Sequence, residues 1–250
     1  MIDSKTENGI CQLNMNHGKV NAMDLEFNTA LVEQLQIQAR SACKAVVITG
    51  NARVFSAGVD LARVLEEDGH YMAIFFDSLV RLFEELFHFR KPLIAAVNGH
   101  AIAGGCVIAA ACDHRLMPDE GVRIGIPELQ VGVPFPAVAM EIMRRVVDPK
   151  RLPQVVFGAG VHTSEQALEW GLVDELTSAN QLLDRALAVA KDYAGLSADV
   201  FLVTKQQLRQ PALQRIENAQ SGYEANVRRM WTSEAIRASI QRYVETTLRK

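Results

Sequence analysis

Positive charge is scarce in this sequence and is nowhere concentrated. The 250 residues contain 26 lysines and arginines against 29 aspartates and glutamates, which gives a net charge of -3. No basic run is longer than two residues. Broad binding to nucleic acids or to anionic membranes usually needs a basic surface. The composition therefore predicts neither kind of partner.

The sequence also lacks the features of an exported or disulfide-bonded protein. Residues 1–11 show no signal-peptide pattern. The cysteines do not have the spacing of a disulfide framework; they are Cys11, Cys43, Cys106 and Cys112. Both observations predict a cytoplasmic protein with reduced thiols.

No apolar run is both long and uninterrupted enough to predict a membrane span. Residues 93–112 have about the required length, but Asn98, Gly99, His100 and a glycine pair interrupt them. A strand, a loop and a helix fit this pattern better. We therefore predict no transmembrane segment.

Strand and helix patterns alternate along the chain, which predicts an α/β protein with parallel strand pairing. With 49% hydrophobic residues, 250 residues can bury a sizeable core in one domain. Ile10–Met15 alternates apolar and polar residues, whereas Ala45–Thr49 is a β-rich apolar run. Helices are predicted at residues 24–39, 65–89, 106–112, 137–147, 149–157, 182–194, 198–208, 213–231 and 233–248.

Residues 91–132 form the stretch around which the chain is organised. An apolar strand at 93–97 leads through a loop to Gly104-Gly105 and a buried alanine-rich helix. Adjacent glycines at a helix start allow close backbone approach and leave N–H groups unpaired. Such groups suit a negatively charged oxygen. Glu128 follows in apolar surroundings, and this combination suits proton transfer beside a carbonyl.

Three motifs in this order resemble the enoyl-CoA hydratase/isomerase (crotonase) superfamily. They are FSAGVDL at residues 55–61, NGHAIAGGC at 98–106 and PELQVGVP at 127–134. The resemblance extends from about Gly9 to past Asp174 and identifies the superfamily better than the reaction. It implies a spiral of ββα turns over residues 1–180. It also implies a C-terminal helical subdomain over residues 181–250, used for packing in a homotrimer or a dimer of trimers.

The resemblance also assigns expected roles to individual residues. The backbone N–H groups of Val59 and Gly104 would form the oxyanion hole, and Glu128 would be the catalytic acid/base. The acyl pocket would include Val107, Pro127 and Val133. Coenzyme A, carried by the substrate, would contact Lys19, Val20, Ala22, Ser56, Ala57, Asp60 and Leu61. No other cofactor and no metal are expected.

The pattern of acidic residues favours isomerisation over hydration. Hydratases of the family usually hold water between two glutamates, and the first of these positions is Val107 here, whereas Glu128 fills the second. One carboxylate suffices to move a proton from C2 to C4 of a 3-enoyl-CoA. We therefore predict an enzyme that converts 3-enoyl-CoA to 2-enoyl-CoA.

Other functions remain open from the sequence. A hydratase would need an acid from another loop, with Glu66, Glu67 and Asp68 as candidates. A CoA-thioester hydrolase or decarboxylase would use the same oxyanion hole. A non-catalytic acyl-CoA-binding protein could retain the fold, with Glu128 engaged in an ion pair.

Histidines and cysteines near the glycine pair suggest two further sites, and both are weaker. Cys106, Cys112 and His114 do not match a common zinc spacing. Cys106 and His100 could act as nucleophile and base, but the sequence offers no third group to orient the base. Buried thiols and a loop histidine are the better interpretation.

Overall fold

The strands among the described residues form three sheets. The computed structural model describes residues 1–51, 54–220 and 222–248. A six-stranded sheet has the order β1-β2-β4-β7-β9-β12, a four-stranded sheet has the order β11-β10-β8-β5, and β3 pairs with β6. The strands are β1 (Ile2–Glu7), β2 (Ile10–Met15), β3 (Ala22–Met23), β4 (Ala45–Thr49), β5 (Val54–Ser56), β6 (Gly58–Val59), β7 (Leu93–Ala96), β8 (His100–Ile102), β9 (His114–Pro118), β10 (Ile124–Gly125), β11 (Val161–His162) and β12 (Glu175–Thr177).

The helices follow the strands in a repeating order. They are α1 (Leu25–Arg40), α2 (Leu61–Glu66), α3 (Gly69–His88), α4 (Gly104–Ala111), α5 (Glu128–Val131), α6 (Ala137–Val146), α7 (Leu152–Gly158), α8 (Ser164–Glu169), α9 (Leu182–Ala194), α10 (Ala198–Gln220), α11 (Glu224–Trp231) and α12 (Glu234–Tyr243), followed by a π-helical turn at Val244–Leu248. None of these described helices is long and apolar enough to cross a membrane.

Successive turns of the chain place one strand in each of the two larger sheets. The pairs β4 and β5, β7 and β8, and β9 and β10 alternate between the sheets, and a helix follows each pair. Neighbours in the six-stranded sheet are parallel except β1 and β2. The predicted α/β class and spiral of ββα turns are confirmed.

The prediction of one continuous helix at residues 65–89 is wrong, because two helices, α2 and α3, cover this segment. Asp60 accepts a hydrogen bond from the backbone N–H of Arg63 and caps α2. Asp68 accepts one from Tyr71 and caps α3. Each carboxylate satisfies an N–H that lacks an intrahelical acceptor, so a second helix begins after the first ends.

The two helices predicted at 198–208 and 213–231 are also divided differently. Helix α10 continues through Pro211 to Gln220, and α11 is separate. Proline in a helix interior removes a hydrogen bond and clashes with the preceding turn. Tertiary contacts on both sides of Pro211 hold this helix together, since Arg209 and Ala212 are buried.

Helix α9 covers part of the six-stranded sheet. Leu182, Ala186 and Val189 belong to one buried cluster with Val47 and Ile94. The first helix after residue 180 therefore packs on strands of the α/β core. The division into domains at residues 180 and 181 stays a prediction.

Candidate active site

A cavity of about 540 Å³ lies between the β3–β6 pair, helices α2 to α5 and the C-terminal helices. Most of the residues predicted for the site from the sequence line this cavity. They are Val20, Ala22, Ala57, Val59, Asp60, Leu61, Gly104, Val107, Pro127, Glu128 and Val133. The fold thus brings together side chains and backbone from three separate motifs.

The loop of Val59 packs directly against the loop of Gly104. Gly58 has a φ of +80°, and a Cβ added there would lie 2.7 Å from Cβ of Ala103 and 3.3 Å from the backbone nitrogen of Gly104. Only glycine permits this approach at such a φ without strain. The packing therefore places the two backbone segments predicted for the oxyanion hole side by side.

Gly104 is the first residue of α4, so its N–H has no acceptor within the helix. The residue before it, Ala103, has φ 52° and ψ -125°, a conformation rare for residues other than glycine. A Cβ on Gly104 would lie 2.6 Å from Sδ of Met23, and one on Gly105 would lie 2.4 Å from the carbonyl oxygen of Ser56. Packing against Met23 and Ser56 explains the glycine pair.

The Glu128 carboxyl group is largely removed from solvent. The side chain is partly accessible through the cavity, but Oε2 is buried and has no hydrogen-bond partner among the described residues. Burial raises the pKa of Glu128 to about 8, against a smaller lowering effect of its own backbone N–H. A carboxyl group with a pKa near neutrality can both accept and return a proton.

The position that carries the first glutamate in hydratases holds no acid in this cavity. Val107 is buried in α4 and lines the cavity together with Glu128. Of the three acids predicted as substitutes, Glu67 pairs with Arg63 at 2.7 Å, and Asp68 caps α3. Glu66 is exposed and lines the cavity.

Two residues predicted to contact coenzyme A lie outside the cavity lining. Ser56 is fully buried, and its Oγ donates to the Asn21 carbonyl at 2.8 Å and accepts from the Gly58 N–H at 3.2 Å. Its side chain therefore supports the loop that carries Val59. Lys19 is exposed nearby. The contact of either residue with coenzyme A stays a prediction.

The sequence did not predict which residues of the C-terminal helices line the cavity. Trp231 donates from Nε1 to the Pro134 carbonyl at 2.9 Å, and Tyr243 and Val244 line the same cavity. The amphipathic pattern of these helices indicates that one face of each helix is covered. Periodicity cannot show that the covering surface belongs to the cavity of the same chain.

The thiol of Cys106 is a poor nucleophile in this setting. Cys106 is completely buried, and burial followed by the charge of Glu128 raises its pKa. The thiolate that nucleophilic chemistry requires is therefore disfavoured. His100 accepts from the Arg123 N–H through Nδ1 at 3.1 Å at the surface. The structure gives no support to a Cys106–His100 catalytic pair.

Comparison with known proteins gives consistent matches over most of the chain. A family model described as Enoyl-CoA hydratase/isomerase matches residues 5–249. A relative from Escherichia coli (strain K12), 2,3-dehydroadipyl-CoA hydratase, is 36% identical over 191 residues, which cover 76% of this chain and 74% of the relative. The relative named enoyl-CoA delta isomerase 1, mitochondrial, from Homo sapiens is 24% identical over 248 residues, 98% of this chain and 82% of the relative.

The fold agrees with these sequence matches. The crystal structure of human mitochondrial delta3-delta2-enoyl-CoA isomerase has a TM-score of 0.93 at 23% identity, with 99% of this chain and 98% of that chain covered. The family model spans nearly the whole sequence, and the cavity gathers residues from all three motifs. The chain belongs to the enoyl-CoA hydratase/isomerase family and has the crotonase fold.

Proposed function

We propose that the protein shifts the double bond of a 3-enoyl-CoA to give the 2-enoyl-CoA. The observation that carries this proposal is the environment of Glu128, whose carboxyl group has a raised pKa of about 8 and opens into an apolar cavity. Val107, at the position of a second catalytic acid, cannot hold or protonate water. A single carboxyl group remains to move a proton between two carbons.

The reaction needs one proton and no other reactant. Ionised Glu128 removes a proton from C2, and the C2–H electrons move into a thioester enolate. The N–H groups of Val59 and Gly104 donate hydrogen bonds to the enolate oxygen. The enolate then takes the proton back from Glu128 at C4 while the double bond moves to C2–C3. Glu128 is again ionised at the end of the cycle.

The predicted groups can supply a substantial part of the catalysis. An oxyanion-hole donor typically lowers the barrier by about 3 kcal/mol. A base whose pKa lies near the operating pH adds roughly 100-fold or more. The raised pKa of Glu128 also makes its protonated form a weaker acid than an exposed carboxyl group. This keeps the proton on the enzyme until it is returned to carbon.

The cavity also suits the two ends of an acyl-CoA. Leu79, Phe83 and Phe135 supply an apolar wall beside Val107, and this wall fits a hydrocarbon chain. Val20, Ala22, Ala57 and Leu61 would face coenzyme A at the other end. A cytoplasmic location and a homotrimer or dimer of trimers belong to the same proposal.

The decisive assay follows the absorbance of the conjugated thioester during incubation with a 3-enoyl-CoA. We expect the absorbance to rise with the wild-type protein and to rise at least 100-fold more slowly with Glu128→Gln, which keeps the shape of the side chain but cannot accept the proton. Equal rates for the two proteins would refute the role of Glu128. Release of free thiol without conjugation would instead indicate a thioester hydrolase.

Hydration is the second candidate, because Glu66 lines the same cavity and is not engaged by another described side chain. The name of the Escherichia coli relative points in the same direction. Glu66 would have to hold the attacking water in place of an acid at position 107. Hydration of a 2-enoyl-CoA that is lost in Glu66→Gln would favour this candidate, whereas isomerisation unaffected by Glu66→Gln would favour the first.

A further inference from the structure

The cavity contains one side chain whose hydrogen-bonding capacity the proposed mechanism does not use. Of the lining residues, Asp60, Glu66, Glu128, Trp231 and Tyr243 carry polar side chains. Carboxylates donate no hydrogen bond when ionised, and the Trp231 N–H is already bound to Pro134. The hydroxyl of Tyr243 forms no hydrogen bond with a described residue and is the remaining side-chain donor of this part of the structure.

Tyr243 is held in place by two contacts of its helix. Arg237, also on α12, donates to the carbonyl of Glu67 at 2.6 Å and to that of Leu65, at the end of α2. Ser239 packs against Gly132, where an added Cβ would lie 2.8 Å from the Ser239 Cβ. Gly132 ends α5, the helix that begins with Glu128. Tyr243 thus lies on a helix that packs directly against the one carrying the predicted base.

The charge of Glu128 also affects the hydroxyl group of Tyr243. Burial, and then the negative charge of Glu128, raise the pKa of Tyr243 above its ordinary value. The phenol is consequently protonated at every pH at which Glu128 titrates, so it can serve as a donor. Glu128 needs such a donor, since no described side chain binds its Oε2.

We propose that Tyr243 is a positioning residue of the active site, and that its hydroxyl donates a hydrogen bond to the ionised Glu128 carboxylate. This inference rests on the proposed function insofar as Glu128 is the base. The hydrogen bond would hold the carboxylate towards the reacting carbons and would favour its ionised form. Neither the Tyr243 hydroxyl nor Oε2 of Glu128 has a hydrogen-bond partner among the described residues, so the bond requires these two side chains to turn towards each other within the cavity that both line.

The other ionisable groups near Glu128 would be unchanged by removal of the Tyr243 hydroxyl. The Cys106 thiol approaches from α4. Asp60 and Glu66 line the cavity at the two ends of α2. Because these groups keep their charges in Tyr243→Phe, a change in the pKa of Glu128 in that variant reports on the hydroxyl.

The test is a titration of the Glu128 carboxyl group by infrared difference spectroscopy, with Glu128→Gln used to identify its band. A hydrogen bond to a charged group corresponds to about one to two pH units. We expect the pKa of Glu128 to rise by that amount in Tyr243→Phe. The matched control is Tyr193→Phe, another half-buried tyrosine, which lies outside this cavity and should leave the pKa unchanged.

A second variant tests the same bond in the opposite direction. Incorporation of 3-fluorotyrosine at position 243 makes the phenol a stronger donor and should lower the pKa of Glu128. An identical Glu128 pKa in wild type, Tyr243→Phe and the fluorotyrosine protein would overturn the inference. This measurement needs no turnover, so it stands apart from the assay of the double-bond shift.

Kinetics give an additional readout if the protein is an isomerase. A higher Glu128 pKa leaves roughly tenfold less of the ionised base at pH 7 for each pH unit. In Tyr243→Phe, kcat/KM should therefore fall about tenfold at pH 7 and recover towards the wild-type value at higher pH. A loss that is the same at every pH would indicate a packing role and would contradict the proposed hydrogen bond.

Discussion

Asp113 and Lys205 form an ion pair that is shielded from solvent, with Oδ2 and Nζ 2.6 Å apart. The second oxygen of Asp113 binds the guanidinium of Arg209 at 2.8 Å. Asp113 lies just after α4, and both cations lie on α10. One carboxylate thereby attaches the long C-terminal helix to the segment that begins with Gly104.

Replacement of Asp113 by asparagine should destabilise the protein strongly. Lys205 and Arg209 would remain buried without their counter-charge, and loss of one partner from a buried ion pair costs about 3–5 kcal/mol. The free energy of unfolding, measured by urea denaturation, should fall by about 3 kcal/mol. Glu7→Gln, which breaks the exposed Lys5–Glu7 pair, is the control and should change it by less than about 1 kcal/mol. Equal effects of the two substitutions would contradict this prediction.

Because the pKa of Glu128 is raised, we predict that Glu128→Gln becomes more stable than the wild type as the pH rises. Folding raises this pKa from 4.5 to about 8. Between these values the folded protein binds a proton that the unfolded chain has released, so the stability of the wild type falls as the pH rises through this range. Glutamine does not titrate, so the stability of the variant does not fall in this way.

Unfolding of wild type and Glu128→Gln should be compared at pH 4 and pH 8. The two proteins should be similar at pH 4, and the variant should be more stable by about 2 kcal/mol at pH 8, a value discounted because the side chain opens to the cavity. A constant difference between pH 4 and pH 8 would show that the pKa of Glu128 is not raised by folding.

The glycine at the start of α4 gives a prediction about catalysis. In Gly104→Ala the new Cβ would meet Met23, with 2.6 Å to Sδ before relaxation. Met23 is fully buried, so we expect relief of this contact to shift the backbone at Gly104, and with it the N–H that would bind the thioester oxygen, as well as the Met23 side chain. We expect kcat to fall about 100-fold, comparable to loss of an oxyanion-hole donor.

Gly69→Ala is a suitable control for Gly104→Ala. Gly69 begins α3, and no atom lies within 4 Å of a Cβ added there. The rate of the proposed double-bond shift in this variant should equal that of the wild type. If Gly104→Ala also retained the wild-type rate, the Gly104 N–H would have no part in the reaction.

The residues that the motifs assign to the site line one cavity because these motifs lie on short, local structures. Gly58 lies in the two-residue strand β6 at a positive φ, Gly104 and Glu128 are the first residues of α4 and α5, and the residue type at each position reflects local backbone geometry. The strand pattern of Ala45–Thr49 is equally local, and the structure has the strand at the same residues. Such features depend little on distant parts of the chain.

The remaining parts of the cavity depend on contacts between distant residues. Nothing in the spacing of Trp231 or Tyr243 indicates which surface each covers. The continuation of α10 through Pro211 likewise depends on buried anchors that belong to other elements, such as the bond between Arg209 and Asp113. These features follow from tertiary packing, and local patterns could not predict them.

The contact of Arg237 with the end of α2 predicts how the C-terminal helix affects substrate binding. The guanidinium satisfies carbonyl groups at the helix end that lack intrahelical donors, including that of Glu67 at 2.6 Å. Arg237→Met keeps much of the side-chain length but removes these hydrogen bonds. Helix α12 should then separate more readily from the end of α2, where Leu65 lines the cavity.

A weaker contact between α12 and α2 should lower the affinity for acyl-CoA more than it slows the chemical step. We expect the Kd of a saturated acyl-CoA, measured by calorimetry, to rise about tenfold in Arg237→Met, equivalent to a loss of about 1.4 kcal/mol. Arg242→Met, on an exposed position of the same helix, should leave the Kd unchanged. We expect Leu65 to contact the acyl chain, so an acyl-CoA with a truncated chain should have a similar Kd in all three proteins. A uniform loss of affinity for long and short thioesters would instead place the effect of Arg237 at the coenzyme A end of the cavity.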